Sequence, residues 1–277
     1  METVRRPSVE LWEEIIRNCE HATFFHSPIW TKVLEKTYPH YSNATVSFTF
    51  NTGNRAIFPL VAEHSKGILF KKAQHKSMAL GVYGGILAER RLTLEETGSI
   101  FEYLTSIDIK DLKIVENPFE NYDFPENFVS KSLFTHIVPL NADFEQLRKR
   151  FSRGQKSNIK QAEKKGITVR LANSLEDYEQ YYTIYQETIK RWGKNAGTTY
   201  PWRLFLNLLK HAAMILNSGL LKNRERSLQG YLPFTVIIPS FTGMAVALKN
   251  ILITTPTISS IWKSSKMDVP EDTKAMT

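Results

Sequence analysis

ATVSFTFNTGNRAIFPLVAE, residues 44–63, decides the reading of the first half of the chain. Apolar and polar residues alternate through ATVSFTF (44–50), the period of a half-buried strand. NTGN (51–54) supplies turn residues that tolerate a positive φ. RAIFPLVAE (55–63) then returns as the second arm, so the stretch predicts a β-hairpin.

On its N-terminal side, residues 8–20 carry Val9, Trp12, Ile16 and Cys19 at spacings of three and four, with Leu11 and Ile15 alongside. That spacing predicts an amphipathic helix, with Ser8 as its cap and Glu10 in its first turn. FFHSPIWTKVLEKTYP (24–39) predicts a second helix, capped by Ser27, begun at Pro28 and faced by Trp30, Val33, Leu34 and Tyr38. On the C-terminal side KGILFKKA (66–73) reads as a strand and SMALGVYGGILA (77–88) as an apolar, glycine-rich stretch. LTLEETGSIFEYLTSI (92–107) reads as a helix, and DLKIVENP (111–118) and FTHIVPL (134–140) as strands. This order fits an α/β (α+β) layer structure and excludes a bundle or a sandwich.

A second unit begins at Asn141. Residues 143–165 are helical in pattern, with Phe144, Leu147 and Phe151 on one stripe, Ile159 and Ala162 on another, and Gly154 as a candidate break. Gly166 suits a helix end, ITVRLA (167–172) a strand, and residues 175–193 and 202–216 two further helices. The expected organisation is a first domain over 1–140, a partial second domain over 141–218 and a tail over 219–277. The order of elements in the second unit echoes the first, without a residue-level repeat.

Composition narrows the function classes. The 277 residues are 42% hydrophobic, 12% aromatic and 23% charged, which excludes collagen-like, disulfide-stapled and wholly disordered chains. Cys19 is the one cysteine, so it has no intramolecular disulfide partner and reads as a small buried apolar residue. The first residues, METVRRPSVELWEEII, mix acids into the basic start and lack the apolar run of a secretory signal, which makes the cytoplasm the expected location. The net charge of +8 favours anionic partners such as phosphorylated substrates, RNA or acidic lipid.

Most of that surplus lies in one place. Residues 148–165 hold Arg148, Lys149, Arg150, Arg153, Lys156, Lys160, Lys164 and Lys165 against the single acid Glu163. Lys156, Lys160 and Lys164 share a helix face, where like charges repel unless an anion relieves them. A solvated helix face is the other reading of such a run. VYGGI (82–86) fits either a close approach of backbone to a ligand or a turn between strands. Tyr178, Tyr182 and Tyr185 share one side of a helix that also carries Arg191 and Trp192, as core packing or as a substrate wall. GxxxxGK[ST], GxSxG, HExxH, CxxC and GxGxxG do not occur, and the seven histidines have no ligand spacing, so the sequence supports no metal, P-loop nucleotide or serine nucleophile.

Taken in order, FFHSPIWTKVLEKTY, AIFPLV, VYGGI, SRGQKSNIKQAEKKGITVR and YYTIYQETIKRWG resemble the FemAB-like branch of the GNAT acyltransferase superfamily, with BioF2-like and CelD-type acetyltransferases as neighbours. The most specific piece is Arg153, Asn158, Ile159, Lys160, Ala162, Lys164 and Gly166 in the spacing R-x-x-x-x-N-I-[KR]-x-A-x-[KR]-x-G. The resemblance covers about residues 9–216. It implies two GNAT-like domains, the second incomplete here, and transfer of an acetyl or aminoacyl group to an amine of a cell-envelope precursor or polysaccharide, such as peptidoglycan. It also implies acetyl-CoA or aminoacyl-tRNA as donor, tRNA as a partner in the latter case, no metal, and no stable membrane insertion. The coenzyme A loop [QR]-x-x-G-x-[GA] is not visible, which favours the tRNA donor. Such aminolysis needs no covalent enzyme nucleophile, only aligned reactants, dipoles for the developing oxyanion and a clamp for phosphate. Motif and charge place Arg153, Lys156, Asn158 and Lys160 in an anion or substrate clamp, Tyr182 and Arg191 in an acceptor wall, and Tyr83, Gly84 and Gly85 at a cleft of the first domain; no general base is named. A non-enzymatic RNA- or anion-binding protein using the same basic helix is the alternative.

After Leu216 the resemblance ends. YLPFTVIIPSFTGMAVALKNILITTPTISSIW (231–262) carries a single charge, Lys249, where the family continues with strands and a helix. Three readings stand: a membrane segment, interrupted by Pro233, Pro239 and Pro256; a divergent β region; or a shifted reading frame. Permitted codons in another frame from Ser240 onward encode an aromatic strand, a helix and a closing Tyr-Asp, like the missing family C-terminus. A frameshift would leave an inactive or marginally stable product, with an unpaired sheet edge in the second domain.

Overall fold

The computed structural model describes residues 1–64, 73–109, 111–119, 122–126, 128–132, 144–164, 174–193, 196 and 199–217. Among them the protein is mixed α/β, with seven α-helices and two four-stranded sheets. Two compact units divide the chain: the first takes residues 1–135 and the last helix from Lys210 onward, the second residues 136–209.

The first unit contains β1 (Glu2–Arg5), α1 (Val9–Arg17), α2 (Pro28–Thr37), β2 (Tyr41–Asn43), β3 (Val46–Thr49), β4 (Arg55–Phe58), β5 (Val61–His64), β6 (Ala73–Ser77), β7 (Leu87–Ala88), α3 (Leu94–Ser106) and β8 (Leu112–Ile114). The hairpin forms around Gly53 at φ +74°, but each arm is divided between two sheets. β3 pairs with β4, Val46 opposite Phe58, while β2 pairs with β5, Tyr41 opposite Glu63. Residues 55–63, expected as one strand, are therefore two. The reason is local. Pro59 has no N–H for a ladder. At the same level the Thr45 hydroxyl enters the backbone pattern, accepting from the Leu60 N–H at 3.2 Å and donating to the Leu60 carbonyl at 3.4 Å.

The sheets run β1-β3-β4-β7 and β2-β5-β6-β8. All pairs are antiparallel except β6 with β8, whose connection passes through α3. β1 was not expected from its charged sequence; it covers the free edge of β3 from Glu2 opposite Thr49 to Arg5 opposite Val46. The strand expected at 66–73 lies outside the described residues except for Ala73, where β6 starts. FTHIVPL (134–140) lies outside them entirely.

Strand alternation gives the first sheet two buried faces. Val46, Phe48, Ala56 and Phe58 pack against Ile100, Phe101 and Leu104 of α3. Ile57 and Leu87 on the other face pack against Trp12, Ile15, Ile16 and Cys19 of α1 and its exit. Val9 begins the expected apolar stripe yet is 52% exposed, because it sits in the first turn beyond the sheet contact. Two caps are those the sequence predicts: Ser8 accepts from Leu11 N–H (3.2 Å) and Ser27 accepts from Trp30 N–H (3.3 Å); the structure adds a reciprocal capping box of Thr93 and Glu96 at the start of α3.

The second unit contains α4 (Phe144–Lys149), α5 (Arg153–Lys164), α6 (Leu175–Trp192) and the first half of α7 (Trp202–Asn217). The break between α4 and α5 is set by Ser152, whose Oγ accepts from Gln155 N–H (3.2 Å) while Gln155 Oε1 accepts from Ser152 N–H (2.8 Å). Gly154, the expected separator, lies inside the first turn of α5. Ser174 and Asp177 cap α6 in the same reciprocal way, and Gly193 ends it at φ +52°. Gly166, the strand expected at 167–172 and the tail at 219–277 lie outside the described residues.

Candidate functional site

The glycines of VYGGI stand at a crossing of backbones. Ser77, at the end of β6, donates its hydroxyl to the Pro59 carbonyl (3.0 Å) and accepts from the Gly85 N–H (2.7 Å). Gly84 N–H donates to the Val115 carbonyl (2.7 Å), extending the parallel pairing beyond β8 as a bridge between Gly84 and Glu116. A Cβ on Gly84 would stand 2.1 Å from the Ser77 carbonyl oxygen. Gly85 has φ +113°, and its Cβ would stand 2.8 Å from the Tyr122 hydroxyl, which accepts from the Ile86 N–H at 3.1 Å. Protein atoms thus account for both glycines. Tyr83 beside them is half-buried.

His26 lies behind this crossing with no exposed surface. Its Nδ1 accepts from the Thr23 N–H at 3.1 Å, which places the proton of the neutral ring on Nε2. Nε2 has no hydrogen-bond partner of ordinary geometry. Burial pushes the imidazole pKa down to about 4, and the nearby Gly84 carbonyl offsets only part of that fall. His26 is a neutral strut under the loop, and its own carbonyl accepts from Trp12 Nε1 at 2.8 Å. The seven histidines have no ligand spacing in the sequence, so nothing there singles His26 out. Ser77 and Tyr122 carried no sequence signal at all, since their role exists only once three chain segments meet.

Helix α5 gathers the basic residues. Arg153, Lys160 and Lys164 are exposed and Lys156 is half-buried. At about 100° per residue, Arg153, Lys156, Lys160 and Lys164 fall within an arc of about 80° and span about 16 Å along the axis. Among the described side chains, no carboxylate pairs with any of the four; the ion pair in this region is Arg148 with Glu145 at 3.6 Å. Ile159 is the buried anchor of the helix. Two placements differ from the expected clamp. Asn158 is turned about 160° from both Lys156 and Lys160, so it does not share their stripe. Lys156 Nζ donates to the Lys149 carbonyl at 3.1 Å, closing the end of α4 with part of its hydrogen-bonding capacity.

On α6, Tyr182 is half-buried among aromatic rings, with centroids 5.3 Å from Trp202 and 5.2 Å from Phe205, and its hydroxyl donates to the Tyr200 carbonyl at 3.3 Å. Tyr185 accepts from the Tyr200 N–H at 2.8 Å, and burial pushes the Tyr181 phenol above its ordinary range. These contacts describe packing between α6 and the start of α7. Arg191 is exposed near the end of α6 and, nine residues on, is turned about 180° from Tyr182. One wall containing both is therefore not formed on this helix.

Among the described residues no three His, Cys, Asp or Glu side chains are placed to hold a metal ion, and no helix is long and apolar enough to cross a membrane. Comparison of the chain with protein-family models, characterised proteins and solved structures gave no match.

Proposed function

We propose that the chain is an N-acyltransferase of the FemAB/GNAT type, moving an acetyl or aminoacyl group to an amine of a cell-envelope precursor or polysaccharide, with α5 holding a phosphate-bearing substrate. The observation that carries the reading is the stripe Arg153, Lys156, Lys160 and Lys164, which has no carboxylate partner among the described side chains. Its length of about 16 Å suits phosphates strung along a nucleic-acid strand better than the compact group that coenzyme A carries, and favours an aminoacyl-tRNA donor over acetyl-CoA. The motif spacing through Arg153, Asn158, Ile159 and Lys160 supports the family. Lys160, exposed and on the stripe, is the clearest clamp residue; Lys156 contributes while also closing α4. Aminolysis of an activated ester then asks the protein for alignment and charge rather than for a covalent nucleophile.

The test is a mass-spectrometric transfer assay offering acetyl-CoA and charged tRNAs in parallel to amine acceptors, with the Lys160→Glu variant beside the parent. Transfer that Lys160→Glu abolishes without changing the melting curve supports the proposal. No mass gain on any amine with either donor, or an unchanged rate in Lys160→Glu, removes it. The same stripe favours a second reading, an RNA-binding protein without chemistry. In that case RNA affinity would fall steeply with salt, with a log–log slope of about −3 for four phosphate contacts on a single strand, and no transfer would be seen.

A further inference from the structure

β2, β5 and β6 bring three polar side chains to one face of the second sheet. Ser42 and His75 both stand opposite Ala62, one on each side of it, and His64 lies two residues further along β5. Strand alternation puts all four on the same face, where Ala62 contributes no more than a methyl. Ser42 Oγ and His64 Nε2 meet at 2.8 Å, across the diagonal between β2 and β5. The two residues are 22 positions apart in the chain, and no sequence motif announces the pair. Ser42 is half-buried and His64 exposed, so the sheet positions the hydroxyl while the ring opens to solvent.

A serine hydroxyl is a weak nucleophile until a base within hydrogen-bond reach takes its proton. His64 stands at that distance. In the neutral ring with its proton on Nδ1, Nε2 accepts from the Ser42 hydroxyl. The backbone beside Ser42 is fixed from outside the sheet. Asn43 N–H donates to Glu35 Oε1 at 2.7 Å, and the Asn43 carbonyl accepts from Arg6 Nε at 2.9 Å. Glu35 and Arg6 balance each other in charge. What Arg6 adds is direction: one N–H is spent on Asn43, and four remain beside the residue next to Ser42 as donors for an oxyanion. His75 borders the pair on the β6 side. Burial lowers its pKa, ahead of the opposed influences of His64, Asp111 and Arg5, so a neutral ring stands there. Asp111 is itself held by Gln74 Nε2 at 3.1 and 3.2 Å.

We propose that Ser42 and His64 form a nucleophilic pair that takes an acyl group from an activated ester or thioester. Ser42 Oγ attacks the carbonyl carbon, His64 Nε2 takes the hydroxyl proton and passes it to the departing alkoxide or thiolate, and the acyl group stays on Ser42 as an ester. The site is separate from the acyl-transfer reading of α5, which uses no covalent nucleophile. The experiment treats the full chain with a fluorophosphonate, whose phosphorus is attacked by activated serine hydroxyls with loss of fluoride, and locates the adduct by peptide mass spectrometry. Ser42 is expected to be labelled ahead of the other serines, and unfolding in urea should bring its rate down to theirs. His64→Gln keeps a hydrogen-bonding partner for Ser42 and should slow the labelling by about 100-fold with an unchanged melting curve. Ser42→Ala should abolish it, and 4-nitrophenyl acetate should place an acetyl group on Ser42 of the parent. A Lys160→Glu protein that loses transfer but keeps the label separates this site from that of α5. The proposal is overturned if Ser42 is labelled no faster in the folded chain than in urea, or if His64→Gln labels at the parent's rate.

Discussion

Gly84→Ala tests the backbone crossing most directly. The added methyl would stand 2.1 Å from the Ser77 carbonyl oxygen and 2.5 Å from its carbon, both backbone atoms that no rotamer change can move. Relief to ordinary contact requires the two segments to separate by about 1 Å. The hydrogen bonds at stake are Gly84 N–H to Val115 and Gly85 N–H to Ser77 Oγ, each 2.7 Å long. Opening both strands two buried donors at about 1–3 kcal/mol each, so a loss of about 3–5 kcal/mol is expected. That is a large part of the roughly 5–15 kcal/mol that holds a domain together. Urea unfolding followed by tryptophan fluorescence, with Trp12 and Trp30 as buried reporters of the first unit, measures it. Gly53→Ala is the comparison: its φ is +74° but its Cβ meets nothing within 4 Å, so a cost of about 1–2 kcal/mol is expected. A Gly84→Ala protein within about 1 kcal/mol of the parent, or no worse than Gly53→Ala, would refute the crossing as the reason for the glycine.

Three other outcomes follow from the same unit. Gly98→Ala lies in α3 with no atom within 4 Å of its Cβ, and should stabilise by about 0.5–1 kcal/mol in the same urea experiment. His26 stays neutral in the folded protein down to about pH 4, whereas the unfolded chain takes up its proton near 6.5, so stability is full above pH 6.5 and is lost as pH falls toward 4. The loss approaches about 3 kcal/mol, and His26→Gln should flatten that part of the stability–pH curve; an unchanged slope would contradict the assignment. Glu96 caps α3 while accepting from Thr52 (2.7 Å) and Asn54 (3.3 Å) of the hairpin turn, so Glu96→Ala should cost about 2–4 kcal/mol and speed amide exchange at both Thr93 and Gly53.

Local chemistry was the legible part of this fold. Ser8, Ser27 with Pro28, and Asn51 to Asn54 announce their caps and turn because each acts within three or four residues. Ser152 with Gln155 was equally readable as a capping box, yet the nearby Gly154 drew the boundary to itself. The division of the hairpin was less legible. Pro59 marked the place, but alternation continues through it, and the Thr45 hydroxyl that completes the break is fifteen residues away. The charge of α5 could be read by counting, and the helix period that unites Lys156, Lys160 and Lys164 also turns Asn158 aside. The packing of Tyr182 against Phe205 and Trp202 depends on a second helix that spacing on α6 alone does not reveal.

The doubled arms of the central hairpin also bear on how the chain finds its structure. One short closure at Gly53 registers β3 against β4 and, a few residues further from the tip, β2 against β5. Two sheets thereby inherit their founding pairs from a single nearby encounter, at little cost in loop entropy. Among the described strands β1, β7 and β8 must be recruited from a distance, so the slow search is confined to the rims while the centre of both sheets is settled by its neighbours in sequence.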